Sequence, residues 1–233
     1  FPEGKYRGAN LTFFHEPELL ETGGGIKNIA DWIKSDPVLI YNGDIITDLP
    51  IDRLMTGHMA SNNTATLAVQ NHGPDLRITV DGHRVTDVRG LIHQQQGTHQ
   101  FTGIYVIDPE ILELIPPNEK ISIIPAFVEL IKQGELGAYH VKGHPKWLDL
   151  GTRETYLKAS LAIPPKVSRE ARISETANIQ NSWVAQNAIV ESGSIIKDSI
   201  LWPDTHVLQD AELTNCIVHS NSPTSGVHKS ADL

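Results

Sequence analysis

The chain has 233 residues, enough for one or two domains that each bury a sizeable core. Its 39% hydrophobic and 20% charged residues are typical of a globular protein, and its net charge of −9 argues against nucleic acid as the main partner. The apolar runs are too short to span a bilayer, so we expect no membrane partner. The single cysteine, Cys216, cannot form an internal disulfide, which leads us to expect a cytoplasmic protein.

Residues 1–163 alternate between strand and helix patterns. Strands are predicted at Leu11–Phe14, Val38–Tyr41, Ala65–Val69, Phe101–Ile107, Ala138–Val141 and Lys146–Asp149, with a hairpin over Ile78–Val88. Helices are predicted after Gly25, around Ile51–His58, from Pro109, over Pro125–Lys132 and after Thr152. Thr22 to Gly25 is predicted as a glycine-rich turn. This alternation predicts an α/β layered domain.

The spacing of aliphatic residues changes after Ile163-Pro164-Pro165, which we interpret as a linker. Over residues 164–220 an aliphatic residue recurs at about every sixth position, with slippage around Ile200. The residues that mark this period are Ile173, Ile179, Ile189, Ile195, Val207 and Leu213. A hexapeptide period predicts a parallel β-helix, in which each coil buries its aliphatic side chains against its neighbours. Residues 221–233 have few apolar side chains and are predicted to be a flexible tail.

Two acidic residues follow predicted strands in the α/β part. Asp44 comes directly after Val38–Tyr41, and Asp149 ends the Lys146–Asp149 strand just before a helix. Carboxylates at strand ends of one sheet could converge on a hard cation that in turn binds phosphates. From spacing alone, two separate turn or capping residues are the alternative.

Four blocks in this order resemble the sugar-1-phosphate nucleotidylyltransferase family. They are LLETGGGI (Leu19–Ile26), YNGDIITD (Tyr41–Asp48), FTGIYVID (Phe101–Asp108) and WLDLGTRETYLKA (Trp147–Ala159). The hexapeptide tract also resembles family members that carry such repeats. The resemblance implies a Rossmann-like mixed sheet with helices on both faces, followed by a short left-handed parallel β-helix. It also implies transfer of a nucleotidyl group from a nucleoside triphosphate to a sugar 1-phosphate, which releases pyrophosphate.

The resemblance assigns roles to single positions. It implies that Asp44 and Asp149 are the catalytic ligands of Mg²⁺, and that Thr102 and Gly103 lie beside the sugar. Nucleotide-binding positions are Glu16, Thr22, Gly23, Gly24 and Gly43. Glu16 stands where the family has a base-reading polar side chain. A carboxylate only accepts hydrogen bonds and guanine offers two adjacent donors, so GTP is weakly favoured over UTP. Glu21 stands where many members have glycine.

The largest departure from the family is an absence. We find neither its opening Gly-rich, Arg-containing phosphate loop nor its Glu-Lys-Pro block, near which Asp87 to Gly90 stands instead. We therefore expect a chain that lacks its natural N-terminus and is nearly inactive by itself, because charge on the transferring phosphates lacks its main stabiliser.

Two other functions stay open. One is a non-catalytic nucleotide-sugar-binding or regulatory subunit. The other is a hexapeptide-repeat acyltransferase, for which His206 and His219 are the candidate residues. The β-helix leads us to expect a homo-oligomer. Nothing in the sequence ranks the sugar.

Overall fold

A computed structural model describes residues 4–163, 167–220 and 222–233 of the protein. These residues form two compact units, Phe1–Trp147 and Leu148–Leu233. The division falls earlier than the predicted domain boundary at residue 163, because helix Arg153–Leu161 packs within the second unit. The two prolines of the predicted linker, Pro164 and Pro165, lie outside the described residues. In the part of the chain that the structure describes, no helix is long and apolar enough to cross a membrane.

The first unit contains short strands and three α-helices. Its strands are β1 (Lys5–Tyr6), β2 (Ala9–Asn10), β3 (Val38–Tyr41), β4 (Ile45–Thr47), β5 (Ala65–Gln70), β6 (Ile78–Asp81), β7 (Arg84–Val88), β8 (Gln100–Ile107) and β9 (Leu136–His140), and β10 (Trp147–Asp149) spans the boundary between the units. Its helices are α1 (Glu21–Asn28), α2 (Ile51–Met59) and α3 (Ile124–Gln133), with a 3-10 helix at Pro109–Leu114. The strand that we predicted at Leu11–Phe14 does not form.

Six of these strands form a mixed sheet in the order β3-β8-β5-β9-β7-β6. Strands β5 and β9 are parallel, and the other neighbours are antiparallel. Successive side chains of a strand point to opposite faces, so each face carries its own core. Tyr105 of β8 packs edge-on against Phe127 of α3, whereas Val106 packs with Leu54 of α2. The predicted α/β fold with helices on both faces of a mixed sheet is confirmed.

Several predictions from local sequence are also confirmed. The predicted hairpin over Ile78–Val88 forms as β6 and β7, but Asp81 pairs with Arg84, so the two-residue turn is Gly82-His83 and not Asp81-Gly82; Gly82 has a φ of 57°. Helix α3 ends at Gly134, which adopts the left-handed conformation with a φ of 73°. The fourth helix, α4 (Arg153–Leu161), begins at Thr152, whose side chain accepts a hydrogen bond from the Thr155 backbone N–H.

The second unit contains a parallel β-solenoid of about three turns, as the hexapeptide period predicts. Its strands are β11 (Arg172–Ile173), β12 (Asn178–Gln180), β13 (Trp183–Val184), β14 (Ile189–Val190), β15 (Ile195–Lys197), β16 (Ile200–Leu201), β17 (His206–Val207), β18 (Glu212–Thr214), β19 (Ile217–Val218) and β20 (Val227–Lys229). They form three sheets, and each full turn contributes one strand to each sheet.

From β11 to β19 the repeat of the solenoid is 17 residues, not 18. Ser199 N–H donates to Ser182 Oγ and Cys216 N–H donates to Ser199 Oγ, and both pairs are 17 residues apart. Two sides of each coil therefore follow a six-residue step and the third a five-residue step. The short side explains the slippage that the sequence shows at Ile200, which pairs with Trp183 and Ile217.

The segment that we predicted to be a flexible tail contributes to this solenoid. Strand β20 pairs with β18, and Ser230 N–H donates to Thr214 O at 3.0 Å. The Leu233 carbonyl accepts the backbone N–H of His219 at 2.7 Å. Backbone pairing gives this polar segment the order that its few apolar side chains do not provide.

Candidate functional site

Four of the predicted site residues of the first unit, Gly43, Asp44, Thr102 and Gly103, lie at one edge of its sheet. Strands β3 and β5 are both antiparallel to β8, and β9 is parallel to β5. The carboxyl ends of β3, β5 and β9 therefore meet at the same edge, together with the start of β8. This is the edge at which open α/β sheets bind ligands.

Asp44 lies in an exposed turn directly after β3. The turn closes through a hydrogen bond from Ile45 N–H to Asn42 O at 3.1 Å. Gly43 has open space on its Cβ side, and no other side chain of the described residues donates a hydrogen bond to the Asp44 carboxylate. The structure therefore presents a carboxylate and an open backbone position side by side at the ligand-binding edge.

Gly103 and Thr102 of β8 have different surroundings. Gly103 lies against the Asp44 turn, since its carbonyl accepts the Asn42 N–H at 3.0 Å. Thr102 is fully buried, and its hydroxyl donates to Ala68 O at 2.9 Å. The Thr102 side chain is therefore bonded within the core, and only the backbone of Thr102 is available at the predicted sugar position.

The chain that leads to Asp149 is anchored beside this turn. Lys146 O accepts the Thr47 hydroxyl at 2.6 Å, and Trp147 Nε1–H donates to Thr102 O at 2.9 Å. Asp149 follows two residues later as an exposed residue at the start of the second unit. Its Oδ1 accepts the Gly151 N–H at 2.8 Å, which leaves the other carboxylate oxygen for a ligand.

The glycine-rich stretch differs most from its prediction, because Thr22 to Gly25 lie in helix α1 and do not form a turn. Gly23 and Gly24 donate their N–H groups to Ile121 O, each at 2.9 Å. The Thr22 hydroxyl accepts the Ile123 N–H at 3.0 Å. These groups therefore bind the protein's own backbone in this structure.

Glu16 and Glu21 flank that helix. Glu16 Oε2 accepts the Leu20 N–H at 3.1 Å, so one carboxylate oxygen is hydrogen-bonded to the protein's own backbone. Glu21 has a φ of 62°, a conformation that a glycine adopts without strain. This explains why a glycine suits the position in the family that the sequence resembles.

Two known family models match this chain. The family model "Nucleotidyl transferase" matches residues 1–165, and "GlmU-like, C-terminal hexapeptide" matches residues 154–225. The first match covers well over half of the chain. This chain belongs to the nucleotidyl transferase family.

Curated relatives in the family include mannose-1-phosphate guanylyltransferases. The chain is 24% identical over 165 residues to that of Mycobacterium tuberculosis, covering 69% of this chain and 46% of the relative. It is 28% identical over 162 residues to that of Pichia angusta, covering 66% of this chain and 44% of the relative. The chain thus spans about half the length of the curated relatives it matches.

Solved structures share the fold at lower identity. A UTP-bound UGPase from Acinetobacter baumannii superposes with a TM-score of 0.57 at 16% identity, over 70% of this chain and 64% of that one. A putative glucose-1-phosphate thymidylyltransferase from Bacillus anthracis gives 0.55 at 16% identity, over 65% and 64%.

Sequence reasoning missed a group of histidines near the nucleotidyl transferase site edge. His99 precedes β8, His140 ends β9, and their ring centroids are 5.1 Å apart. Burial, and secondarily the neighbouring His140, lowers the pKa of His99 below its ordinary value. The residues are 41 positions apart in the printed sequence, so only the strand order brings them together.

The two acyltransferase candidates lie in the solenoid. His206 Nε2 is 2.7 Å from Glu191 Oε1, and the His219 ring packs against Trp202 with centroids 5.9 Å apart. Both contacts stabilise the solenoid surface, and neither favours acyl transfer.

Proposed function

We propose that the chain contributes the acceptor side of a sugar-1-phosphate nucleotidylyltransferase. In this reaction a phosphate oxygen of the sugar 1-phosphate attacks the α-phosphorus of a nucleoside triphosphate. The new oxygen–phosphorus bond forms as the bond to the bridging oxygen breaks, and pyrophosphate leaves. Such chemistry depends on positioning and charge neutralisation, not on a covalent nucleophile.

One observation carries the proposal: the exposed Asp44 turn packs directly on Gly103. The missing side chain of Gly103 lets Asn42 and Ile45 approach β8 closely, and this contact holds the exposed Asp44 carboxylate at the ligand-binding edge of the sheet. The membership of the chain in the nucleotidyl transferase family supports the same reading. We propose that Gly103 and the Thr102 backbone lie against the sugar.

The donor set fits Mg²⁺. Asp44 and Asp149 are both exposed carboxylates, and no group of three or more His, Cys, Asp or Glu side chains in the described ranges could hold a metal. Mg²⁺ is commonly held by one or two carboxylates, with water and substrate phosphates completing its octahedron. When bound, the ion would neutralise charge on the α-phosphate. We propose that Asp44 and Asp149 hold it.

The nucleotide is proposed to be GTP. Support comes from the guanylyltransferases among the curated relatives. The argument from Glu16 is weaker than the sequence indicates, because its carboxylate accepts a hydrogen bond from Leu20 N–H. Glu16, helix residues Thr22, Gly23 and Gly24, and Gly43 remain proposed nucleotide positions, and the helix residues require the bonds to 121–123 to open.

We also propose that this chain has little activity by itself. It spans about half the length of its curated relatives. Strand β3 lies at one end of the sheet, pairs only with β8 among the described residues, and leaves Val38, Leu39 and Ile40 only partly buried. This apolar edge also supports the second candidate function, a non-catalytic nucleotide-sugar-binding or regulatory subunit that completes its sheet with another polypeptide.

A pyrophosphate-release assay tests the proposal. The chain and the longest reading frame that contains it are assayed with GTP or UTP, a panel of sugar 1-phosphates and Mg²⁺. Asp44→Asn and Asp149→Asn should each reduce turnover by about a hundredfold or more, since each change removes one charged ligand. Asp48→Asn, in the same exposed segment, is the matched control. Wild-type turnover in both variants would exclude the metal assignment, and binding of nucleotide-sugar without turnover in either protein would favour the subunit.

A further inference from the structure

A small cleft opens at the carboxyl ends of the parallel strands β5 and β9. It has a volume of about 290 Å³ and is lined in part by Asn71, His99, His140 and His144. Three imidazoles around one cleft are unusual because histidine is a rare residue that is most useful where it titrates. No carboxylate is among the described residues that line it.

Further histidines extend the cluster on both sides. His83, in the turn between β6 and β7, has its ring 5.7 Å from that of His140. His72, just after β5, has its ring 4.9 Å from that of His144. The β6–β7 turn, the segment after β5, the residue before β8, and β9 with the segment after it therefore all place imidazoles in or beside this cleft. Lys142, between the cleft-lining residues Val141 and Gly143, is exposed.

Hydrogen bonds determine which nitrogen of each histidine ring can take up a proton. His140 Nε2 lies 2.6 Å from Gly82 O, so it must carry a hydrogen and donate. In the neutral ring the other nitrogen, Nδ1, then carries no hydrogen and has a free lone pair. His72 Nδ1 faces Asn71 Oδ1 at 3.3 Å, which leaves its Nε2 as the lone pair by the same reasoning. Protonation would convert each lone pair into a charged donor.

We propose that this imidazole cleft is a binding site for a tetrahedral dianion, such as the phosphate group of a phosphate monoester, and that it binds when its histidines are protonated. In the neutral state the cleft presents lone pairs, which repel an anion. In the protonated state it presents N–H donors and positive charge, the combination that binds phosphate strongly.

A metal is the other ligand that imidazoles hold. The described residues offer no group of three His, Cys, Asp or Glu side chains with the geometry for one. His140 Nε2 is engaged by the Gly82 carbonyl, and His99 Nδ1 lies 2.8 Å from the Thr98 hydroxyl oxygen. The arrangement therefore suits an anion better than a cation.

The pH dependence has a defined sign. Burial and His140 lower the pKa of His99, so this ring is neutral near pH 7 and an entering anion must bring a proton with it. The affinity should fall by about tenfold per pH unit for each proton taken up, once the pH exceeds the pKa of the ring. His72, His83, His140 and His144 are the other titratable groups that face the cluster.

Calorimetric titration of the intact chain with sodium sulfate tests the proposal, since sulfate keeps its charge across this range while phosphate does not. We expect binding at about pH 5.5 that weakens at least tenfold at about pH 7.5, with uptake of protons. His99→Gln and His140→Gln should each reduce affinity at the lower pH by about tenfold, because each removes a charged donor.

His93→Gln is the matched control, as His93 is exposed in the same unit and does not line the cleft. Circular dichroism melting checks that each variant is folded, and imidazole NMR shifts of His99 and His140 report the site directly if one variant is not. No sulfate binding at the lower pH, binding that is unchanged in both variants, or Zn²⁺ that binds these histidines more tightly than sulfate would each overturn the proposal. Because the probe is sulfate, the site can be present whether or not the chain transfers nucleotides.

Discussion

Gly103 lies so close to Asn42 and Ile45 that a side chain at position 103 would crowd both residues. A Cβ on Gly103 would come within 3.1 Å of Asn42 Nδ2 and also within 3.1 Å of Ile45 Cγ1. The same glycine has a φ of 77° and accepts the Asn42 N–H. This contact sets the position of the turn that carries Asp44.

We predict that Gly103→Ala lowers the free energy of unfolding by about 2–4 kcal/mol, from left-handed strain and crowding together. Gly143→Ala is the control, since Gly143 has a φ of 78° but nothing within 4 Å of its Cβ position. It should cost only the strain, about 1–2 kcal/mol. Chemical denaturation measures both, and equal losses would show that crowding at Asn42 has no effect.

Helix α1 provides a second pair of glycines with opposite expectations. A Cβ on Gly24 would lie 2.4 Å from Glu119 O, which is backbone and cannot move aside. Gly24→Ala should therefore destabilise the protein by about 2–3 kcal/mol. A Cβ on Gly25 meets only Glu16 Oε1, the end of a flexible side chain, at 2.9 Å. Since alanine also favours a helix, Gly25→Ala should stay within about 1 kcal/mol of the original chain. Thermal melts of the two variants should separate clearly, and a stable Gly24→Ala protein would contradict the packing of α1 on residues 119–123.

Tyr105 carries a buried hydroxyl with no hydrogen-bond partner among the described residues. We expect Tyr105→Phe to stabilise the protein by about 1 kcal/mol or more, because an unsatisfied buried polar group costs that much. Urea denaturation near neutral pH measures the change. Destabilisation would instead indicate that a water molecule bonds this hydroxyl.

The same residue should affect stability at high pH. Burial raises the pKa of Tyr105 well above its ordinary value of about 10. Because the pKa is higher in the folded state than in the unfolded chain, Tyr105 does not change the free energy of unfolding with pH below about pH 10. Above that pH the unfolded chain ionises first, and the free energy of unfolding falls. Tyr105→Phe should therefore flatten the fall in unfolding free energy between about pH 10 and about pH 12. Denaturation series across that interval check it, and an unchanged slope would be inconsistent with the buried ring.

The buried Ser182–Ser199–Cys216 ladder gives a prediction for the solenoid. Ser199 Oγ donates to Lys197 O at 2.6 Å and accepts the Cys216 N–H at 3.0 Å. Lys197 O also accepts the Asn215 N–H, so Ser199→Ala leaves one buried group, the Cys216 N–H, without its acceptor and should cost about 1–3 kcal/mol. Ser192→Ala changes an exposed serine of the same solenoid and should stay within about 0.5 kcal/mol. Equal melting temperatures for the two variants would mean that water replaces the lost bonds.

Features that depend on a few neighbouring residues were predictable from the sequence. The hairpin over Ile78–Val88, the end of α3 at Gly134 and the start of α4 at Thr152 each follow from the local preferences of a few residues. The α/β class and the solenoid follow from periods of apolar residues that any stretch of the chain displays by itself. The apolar run Val38–Tyr41 placed Asp44 directly after a strand, and the structure has it there.

Contacts between distant residues decided the rest. Thr22 to Gly25 form a helix and not a turn because Ile121 and Ser122, about a hundred positions on, need close approach to glycine. Thr102 is buried because β8 lies in the middle of the sheet, and the 17-residue coil is set by which strands stack. His99 and His140 meet only because β5 lies between β8 and β9. Sequence preferences act over a few residues, so they determined the elements and the family of this protein, while strand order and packing determined which side chains share a site.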